Sequence, residues 1–213
     1  MNYTLKIYKF LSGLYEFYND QLFESQLPEC VITLNKSGNA SGIFFRNNWK
    51  SKEGNNLHEI AINPESNFYS VEFHQALVHE MCHLWQTEFG TKRSREGYHN
   101  NEFMQIMISI GLMPSDTGKP GGKMIGQHLS DFPLKKGRFI TVFNEFKRRN
   151  IELDILVCDN VSHEVVAPKS QNSGKRLKYT CNCGTNIWGK PELKNIYCQQ
   201  CKTNFLPNVA EQG

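Results

Sequence analysis

The stretch from Ser70 to Phe89 constrains the fold of this chain more than any other segment. It contains neither Gly nor Pro, and apolar side chains cover most of the surface that it would have as a helix. A helix that is apolar nearly all round is typical of a domain core. Asn63-Pro64 and Ser70 mark the start of this helix, and Gly90 marks its end. We therefore predict one long internal helix here.

That helix carries the motif His79-Glu80-Met81-Cys82-His83, which has the pattern H-E-x-x-H. Residues four apart lie on one helical face, so the imidazoles of His79 and His83 can bind one zinc ion. Glu80 beside them can then act as general base on water, whose pKa zinc lowers to about 7. Polar side chains without partners are costly inside a core. The motif therefore predicts a metal site of the kind found in zinc peptidases.

A third metal ligand has to come from further along the chain, because the histidine that ends the metzincin pattern is absent after His83. A second helix is predicted from Asn100 or Asn101 to Gly111. Its apolar stripe consists of Phe103, Ile106, Met107 and Ile110. Helical counting back from that stripe places His99 on the inward face.

Three residues near the start of the second helix are candidates for the third ligand, namely Glu96, His99 and Glu102. Glu102 falls off the inward face, and Glu96 lies in a polar loop. We favour His99, with Glu96 as the second candidate. The remaining interpretation of His99 is a histidine that caps the helix or lies in the loop. Cys82 lies between the two helical ligands, and we interpret it as a small packing residue rather than a ligand.

Four cysteines near the C-terminus form two short pairs, Cys181-Asn-Cys183 and Cys198-Gln-Gln-Cys201. Four thiolates can hold one structural zinc ion, which folds a segment too small to have a core of its own. Disulfides are the alternative in an oxidising compartment. The start of the chain has lysines and no unbroken apolar run, so we expect no secretory signal and favour zinc. Short strands are predicted around the cysteines at Leu177–Thr180, Asn186–Trp188, Asn195–Tyr197 and Asn204–Leu206.

The H-E-x-x-H segment and its surroundings resemble the SprT-like metallopeptidases, a family that includes bacterial SprT proteins and eukaryotic Spartan. The resemblance covers most of residues 10–113 and returns in the cysteine cluster. It rests on His79 to His83, on Glu96-Gly-Tyr-His99-Asn-Asn-Glu-Phe103, on the opening run Leu14–Phe23 with Leu27-Pro28, and on the Gly-containing strand Gly42–Phe45. The resemblance implies that His79, His83 and His99 bind a catalytic zinc ion and that Glu80 is the catalytic base.

The net charge of +3 is distributed unevenly. Residues 167–213 contain seven Lys and Arg against two Glu, a balance of +5, so the other residues sum to −2. Lysines beside Trp188, Tyr179 and Tyr197 offer cations and rings for single-stranded nucleic acid. A solvated basic surface with core aromatics is the alternative. The resemblance favours DNA, because the ribbon region of Spartan-like peptidases is associated with DNA binding. The candidate contacts are Lys175, Arg176, Lys178, Trp188 and Lys190.

Residues 113–150 separate the two motifs. The part from Pro114 to Gly126 is rich in Pro and Gly and is predicted as a loop near the cleft. An NTPase phosphate loop is not expected, because Gln127 and His128 follow Gly126 where Lys and Ser or Thr would be needed. His128 is interpreted as a surface histidine, with support of the metal site as the alternative. The segment from Phe139 to Arg149 is predicted as a strand or a short helix.

The predicted fold class is α+β. We predict a zincin-like metallopeptidase domain in residues 1–135, with the H-E-x-x-H helix over a small sheet, a connecting segment in 136–166, and a small β zinc ribbon in 167–213. No apolar stretch approaches the length of a membrane span. We therefore expect a soluble cytoplasmic protein, associated with the nucleoid, or a nuclear one in a eukaryote, without a membrane partner.

The expected function is zinc-dependent endoproteolysis with one catalytic and one structural Zn²⁺. The resemblance implies protein substrates that are bound or crosslinked to DNA, with single-stranded or damaged DNA as a partner. One alternative is a nucleic-acid-binding or regulatory protein whose H-E-x-x-H site is structural or weakly active. A second alternative is a general peptidase that does not need DNA.

Overall fold

The computed structural model describes residues 2–36, 40–65, 67–92, 94–95, 97–149, 177–190 and 195–207. The chain divides into two compact units, Met1–Asp159 and Asn160–Gly213. The predicted α+β class is confirmed, because the described residues form four helices and several small sheets. Among these described helices, none is both long and apolar enough to cross a membrane.

The first unit begins with helix α1, Tyr3–Phe23. The side-chain oxygen of Asn2 caps its start by accepting a hydrogen bond from the N–H of Thr4 (2.8 Å). The helix ends at Glu24, which adopts a left-handed conformation with φ 57°. From Phe10 onward, one face of α1 is buried and forms a wall of the hydrophobic core.

A three-stranded sheet follows, made of β1 (Cys30–Leu34), β2 (Gly42–Lys50) and β3 (Asn56–Ile62). The strand order is β1-β3-β2, with β1 parallel and β2 antiparallel to β3. Among the described residues, β2 pairs only with β3 and is therefore an edge strand. A bulge between Phe45 and Trp49 interrupts its pairing.

Helix α2, Val71–Phe89, packs against β2 and β3 and forms the centre of the unit. The hydroxyl of Ser70 accepts a hydrogen bond from the N–H of Phe73 (3.2 Å), and Gly90 is the C-cap. Both ends agree with the bounds predicted from the sequence. Its buried apolar residues join the core, so the prediction of an internal helix is confirmed.

A two-residue strand, β4 (Tyr98–His99), precedes the next helix. It pairs antiparallel with β6 (Gly126–Gln127), which places His99 opposite Gly126. Helical counting from α3 therefore does not apply to His99, which lies on a strand, although the residue is buried as expected. The strand, rather than helical periodicity, turns His99 inward.

Helix α3, Asn101–Ile110, agrees with its predicted bounds. The side chain of Asn100 caps it by accepting a hydrogen bond from the N–H of Phe103 (2.9 Å). Gly111 ends the helix with φ 92°. A Cβ on Gly111 would also lie 2.7 Å from the backbone nitrogen of Arg138, so only glycine fits this close approach.

The segment after α3 is more ordered than the predicted loop. Strand β5 (Leu112–Ser115) pairs antiparallel with β7 (Ser130–Pro133) and places Pro114 opposite Asp131. Together with the pairing of β4 and β6, this anchors both ends of the turn rich in Gly and Pro. The segment is thereby held next to the strand that carries His99.

Helix α4, Arg138–Arg148, ends the described part of the first unit. The helical alternative for this segment is therefore confirmed. Its buried face consists of Phe139, Val142, Phe143 and Phe146. The ring of Phe146 contacts those of Phe10 and Phe17 in α1, with centroids 6.2 and 5.9 Å apart. The compact unit thus includes a helix that the predicted division placed in a connecting segment.

The second unit is built from five short strands in its described residues: β8 (Leu177–Thr180), β9 (Asn186–Gly189), β10 (Tyr197–Cys198), β11 (Thr203–Asn204) and β12 (Leu206–Pro207). Strand β8 lies between β9 and β12, and β10 pairs with β11. The ring of Tyr179 is buried, and its hydroxyl donates to the carbonyl of Lys190 (2.7 Å). The strands lie close to their predicted positions.

Candidate metal centres

Helix α2 and strand β4 bring three imidazoles together. His79 and His83 lie one turn apart on α2, and His99 comes from β4. One ring nitrogen from each lies within 4.8 Å of the other two. Nε2 of His79 is 3.2 Å from Nε2 of His99. Two nitrogen ligands of a tetrahedral zinc ion are roughly 3.3 Å apart, so this spacing suits one shared ion.

Asp131 in β7 fixes the orientation of His79. Nδ1 of His79 donates a hydrogen bond to Oδ1 of Asp131 (2.9 Å), which leaves the Nε2 lone pair free for a metal. Gln75, on the same helix, donates to the backbone carbonyl of Asp131 (2.9 Å). Two hydrogen bonds therefore hold β7 against α2. The sequence alone does not predict a role for Asp131, because a single aspartate in a short strand belongs to no motif.

Aromatic rings enclose the imidazoles. The ring centroid of Phe103 is 4.2 Å from that of His83, 4.5 Å from that of His99 and 5.4 Å from that of His79. Phe44 of β2 is nearly parallel to His83, at a centroid distance of 6.3 Å and an angle of 15°. This packing limits rotation of the ligand rings and surrounds the site with apolar groups, which strengthens electrostatic interactions inside it.

The environment favours neutral imidazoles at two of the three positions. Burial holds the pKa of His83 well below its ordinary value and lowers the pKa of His99 to about 4. Burial also lowers the pKa of His79, but the hydrogen bond and charge of Asp131 outweigh it and raise the pKa overall. Metal binding requires a free lone pair. A metal ion therefore competes with a proton chiefly at His79.

Glu80 lies where α2 approaches the edge strand β2. A Cβ on Gly42 would be 2.8 Å from Cγ of Glu80 and 3.0 Å from its Oε1, so glycine permits this close approach. Burial raises the pKa of Glu80 to about 7, although His79 and a hydrogen bond from the backbone of Phe44 act in the opposite direction. A carboxyl with this pKa can gain or lose a proton near neutral pH, as acid–base chemistry requires.

The other residues that the sequence offered for the metal site are not part of the imidazole cluster among the described residues. Glu96 lies outside the described residues. Oε1 of Glu102 accepts hydrogen bonds from the N–H and the hydroxyl of Thr91 (both 2.8 Å), so Glu102 holds the loop after α2. Cys82 is buried in the core, and burial raises the pKa of its thiol, which agrees with a packing role. His128 is exposed, and its N–H donates to the carbonyl of Gly97 (2.9 Å).

The second unit brings four sulfur atoms together. Four Sγ atoms lie within 4.8 Å of one another, those of Cys181, Cys183, Cys198 and Cys201. All four thiols are free, with Sγ of Cys183 3.7 Å from that of Cys198, well beyond a disulfide bond. Zinc–sulfur bonds of about 2.3 Å in a tetrahedron place sulfurs roughly 3.8 Å apart. The cluster therefore fits a zinc ribbon.

Two threonine hydroxyls favour the thiolate form in this cluster. The hydroxyl of Thr203, 3.1 Å from Sγ of Cys201, lowers the pKa of that thiol to about 6. The hydroxyl of Thr185, 3.3 Å from Sγ of Cys183, lowers the pKa there as well. Thiolates are the form that binds metal, so these contacts prepare the site.

The two donor sets are both consistent with zinc but differ in what they can do. Three imidazoles leave a coordination position open, which catalytic zinc sites need, whereas four thiolates close the tetrahedron and suit a structural ion. An acidic side chain with a pKa near neutrality adjoins only the imidazole set among the described residues. The imidazole set is therefore the candidate reactive centre.

The structure describes three of the five candidate nucleic-acid contacts. Lys178 and Trp188 are cross-strand partners in β8 and β9, and the Trp188 side chain is 62% exposed. Lys190 is exposed, whereas Lys175 and Arg176 lie outside the described residues. Tyr197 is exposed. Tyr179, which the sequence pattern groups with these rings, is buried, so it is unavailable for stacking.

The comparisons with known proteins agree with the first centre. The family model described as SprT-like family matches residues 11–119, just over half of the chain. The match includes His79, Glu80, His83 and His99, while Asp131 and the four cysteines lie beyond it. No curated protein and no solved structure matches the chain. The family suggests a zinc metallopeptidase-like domain, and the chain belongs to the SprT-like family.

Proposed function

We propose that this protein is a zinc-dependent endopeptidase that acts on proteins bound or crosslinked to DNA. The observation that carries the proposal is the meeting of three imidazole nitrogens within 4.8 Å beside the carboxyl of Glu80. His79, His83 and His99 would hold the catalytic zinc ion. When bound, zinc supplies Lewis acidity to a peptide carbonyl and makes water a stronger acid.

Glu80 is the proton carrier in this proposal. Its carboxylate takes a proton from the attacking water and delivers it to the amine that leaves as the peptide bond breaks. The pKa of about 7 suits both steps near neutral pH. Asp131 keeps His79 in the tautomer that presents Nε2, and Phe103 holds all three rings in place.

The position of Glu80 against an edge strand supports this assignment. The edge strand β2 lies directly against Glu80, with Gly42 at the point of closest approach. An edge strand offers unpaired backbone groups to an extended peptide. We place the substrate chain along β2, where its scissile carbonyl can reach both the imidazole centre and Glu80.

The proposed link to DNA rests on the second unit and on the resemblance to Spartan-like peptidases. Trp188 presents an exposed ring beside Lys178, which combines a stacking surface with a cation for phosphate. Lys190 adds a second exposed cation at the end of β9. These three residues are the proposed contacts to single-stranded DNA.

Cleavage of a DNA-binding protein by wild type and Glu80→Gln tests the proposal. Glu72→Gln is the matched control, because Glu72 is an exposed glutamate on the same helix. Each protein is assayed with and without single-stranded DNA, and its zinc content is measured. We expect cleavage by wild type and Glu72→Gln, stimulated by DNA, and none by Glu80→Gln at equal zinc content.

Two other outcomes would change the proposed function. Two zinc ions per chain without cleavage under any condition would favour a nucleic-acid-binding protein with a structural H-E-x-x-H site. Cleavage that is equally fast without DNA, and unchanged in Trp188→Ala, would favour a general peptidase.

A further inference from the structure

The cations of the first unit are concentrated around helix α4. Residues 135–149 contain six Lys and Arg against one Glu, whereas residues 1–134 contain eleven Lys and Arg against fourteen Asp and Glu. The balance is therefore +5 in one short segment and −3 in the rest of the described unit. We call the six cations the α4 basic surface. They are Lys135, Lys136, Arg138, Lys147, Arg148 and Arg149.

All six cations are exposed, while the apolar face of α4 is buried in the core. Helix α4 has eleven residues, so the cations at its two ends are roughly 16 Å apart. Glu145, the one carboxylate of the segment, is paired with Arg149 (2.7 Å). The surface thus presents an excess of positive charge over a distance of several phosphate groups.

Helix stability does not account for this charge. Lys147 and Arg148 at the C-terminal end are favourable to the helix dipole. Lys135, Lys136 and Arg138 lie at the N-terminal end, where cations are unfavourable, and the first turn contains no acidic residue. The N-terminal cations therefore cost stability within this helix, which points to a role outside it.

Contacts with helix α1 hold two of these side chains in place. A guanidinium nitrogen of Arg138 donates to the carbonyl of Gln21 (3.2 Å). The guanidinium of Arg149 lies over the ring of Phe17, with its carbon 4.6 Å from the centroid, and its side chain remains 48% exposed. Cations that are already ordered lose less side-chain entropy when they bind a partner.

We infer that the α4 basic surface binds the phosphate backbone of nucleic acid and so brings the peptidase unit itself onto DNA. This inference rests on the DNA association of the proposed function and adds a contact site separate from Lys178 and Trp188. The exposed residues of α4 include no apolar anchor for a membrane; they are Arg138, Thr141, Asn144, Lys147 and Arg148. A chain of phosphates matches cations spread along a helix.

The test removes three exposed cations that form no ion pair among the described residues. Lys135→Gln, Lys136→Gln and Arg148→Gln are combined in the full zinc-loaded chain, in a Glu80→Gln background. The matched control removes the same charge from the sheet through Lys36→Gln, Lys50→Gln and Lys52→Gln, which are also exposed. Binding of a fluorescent oligothymidylate is measured by anisotropy from 50 to 300 mM salt. The melting temperatures of the α4 variant and of the control variant are recorded.

We expect the α4 variant to bind at least about tenfold more weakly at 50 mM salt. Its slope of log affinity against log salt should fall by about 2, since each lost phosphate contact removes roughly 0.7 for a single strand. The control should retain the wild-type slope. Unchanged melting temperatures would show that the loss arises from the surface rather than from the fold.

Three results would overturn the inference. An unchanged slope in the α4 variant would show that these cations do not contact phosphates. Equal losses of affinity in the α4 variant and the control would show that only the net charge of the protein matters. Binding to phosphatidylserine vesicles instead of the oligonucleotide would identify a membrane as the partner. The Glu80→Gln background separates this test from proteolysis, so DNA binding through α4 can stand even if the peptidase proposal fails.

Discussion

The imidazole centre and the thiolate centre both fit zinc, but the polypeptide around them differs. Helix α2, which carries two imidazoles, is buried in a core formed by all four described helices and the sheet beneath α2. The thiolates are connected by strands of two to four residues, and Trp188 and Leu206 beside them are more than 60% exposed. In the first unit the fold positions the ligands. In the second unit, a metal ion bound by the four thiolates has to stabilise the fold.

Removal of metal should produce the largest difference in stability between the two units. Chelation should unfold the second unit, because a structural zinc ion supplies about 10–16 kcal/mol in small zinc domains. The first unit should remain folded, since its core does not depend on the ion. Hydrogen exchange read by mass spectrometry, before and after chelation, should show lost protection in 177–207 and retained protection in α2 and α3.

Cysteine variants provide the control for chelation. Cys198→Ser should reproduce the loss of protection in the second unit without a chelator. Cys30→Ser, in β1 and outside both centres, should leave that unit protected. Simultaneous loss of protection in both units would contradict the contrast.

Acid should weaken the first unit through a buried histidine that binds no metal. Nε2 of His74 donates to the carbonyl of Phe68 (2.9 Å), and in the neutral ring, which burial favours, Nδ1 accepts from the Tyr18 hydroxyl (2.8 Å). Burial lowers its pKa from the ordinary 6.5 to about 4. The unfolded chain takes up the proton first as pH falls. The contribution of neutral His74 to the free energy of unfolding is therefore fully present above pH 6.5 and is lost as pH falls towards 4.

The expected loss from His74 is about 3 kcal/mol between these pH values. Urea unfolding at pH 7 and pH 4.5 should show a decrease that is roughly 2–3 kcal/mol smaller in His74→Gln than in wild type. His128→Gln, at an exposed position, should behave like wild type. Equal pH dependence in all three proteins would assign the acid sensitivity to other groups.

Asp131 provides the smallest and most local test, because it touches one centre only. Asp131→Ala should weaken zinc binding at the imidazole centre by about 10–100-fold, as loss of a carboxylate behind a histidine ligand does. Binding at the thiolate centre should not change. Competition with a chromophoric chelator measures both affinities, and the spectrum of the cobalt-substituted protein reports the ligand geometry.

The control for Asp131 is Asp116→Ala, which removes an exposed carboxylate that hydrogen-bonds the N–H of Lys123 in the same segment (2.9 Å). Asp116→Ala should leave the zinc affinities of both the imidazole and the thiolate centre unchanged. If Asp131→Ala lowers the melting temperature of the metal-free protein and leaves zinc affinity intact, Asp131 serves only to hold β7 in place.

Local signals in the sequence predicted the parts of the site that depend on local structure. Ser70 and Gly90 marked the ends of α2, and the i, i+4 spacing of His79 and His83 put both rings on one face. The choice of His99 agrees with the cluster, although it lies on a strand and not on the helix used to select it.

Contacts between distant parts of the chain were beyond the reach of those signals. Asp131 meets His79 across 52 residues, and Gly42 meets Glu80 through the packing of an edge strand on a helix. Neither partner belongs to a local pattern. The basic surface of α4 was missed for another reason, because its charge was averaged with the acidic residues that precede it.

The pairing of β4 with β6 also sets the order in which the reactive centre is completed during synthesis. All three imidazoles have been made by residue 99, but the strand that holds His99 needs residues 126–127, and His79 is oriented only by Asp131. A chain emerging from its N-terminus folds its early parts first. Full assembly of the centre therefore waits for the chain beyond residue 131, and until then the three imidazoles lack the contacts that fix their geometry.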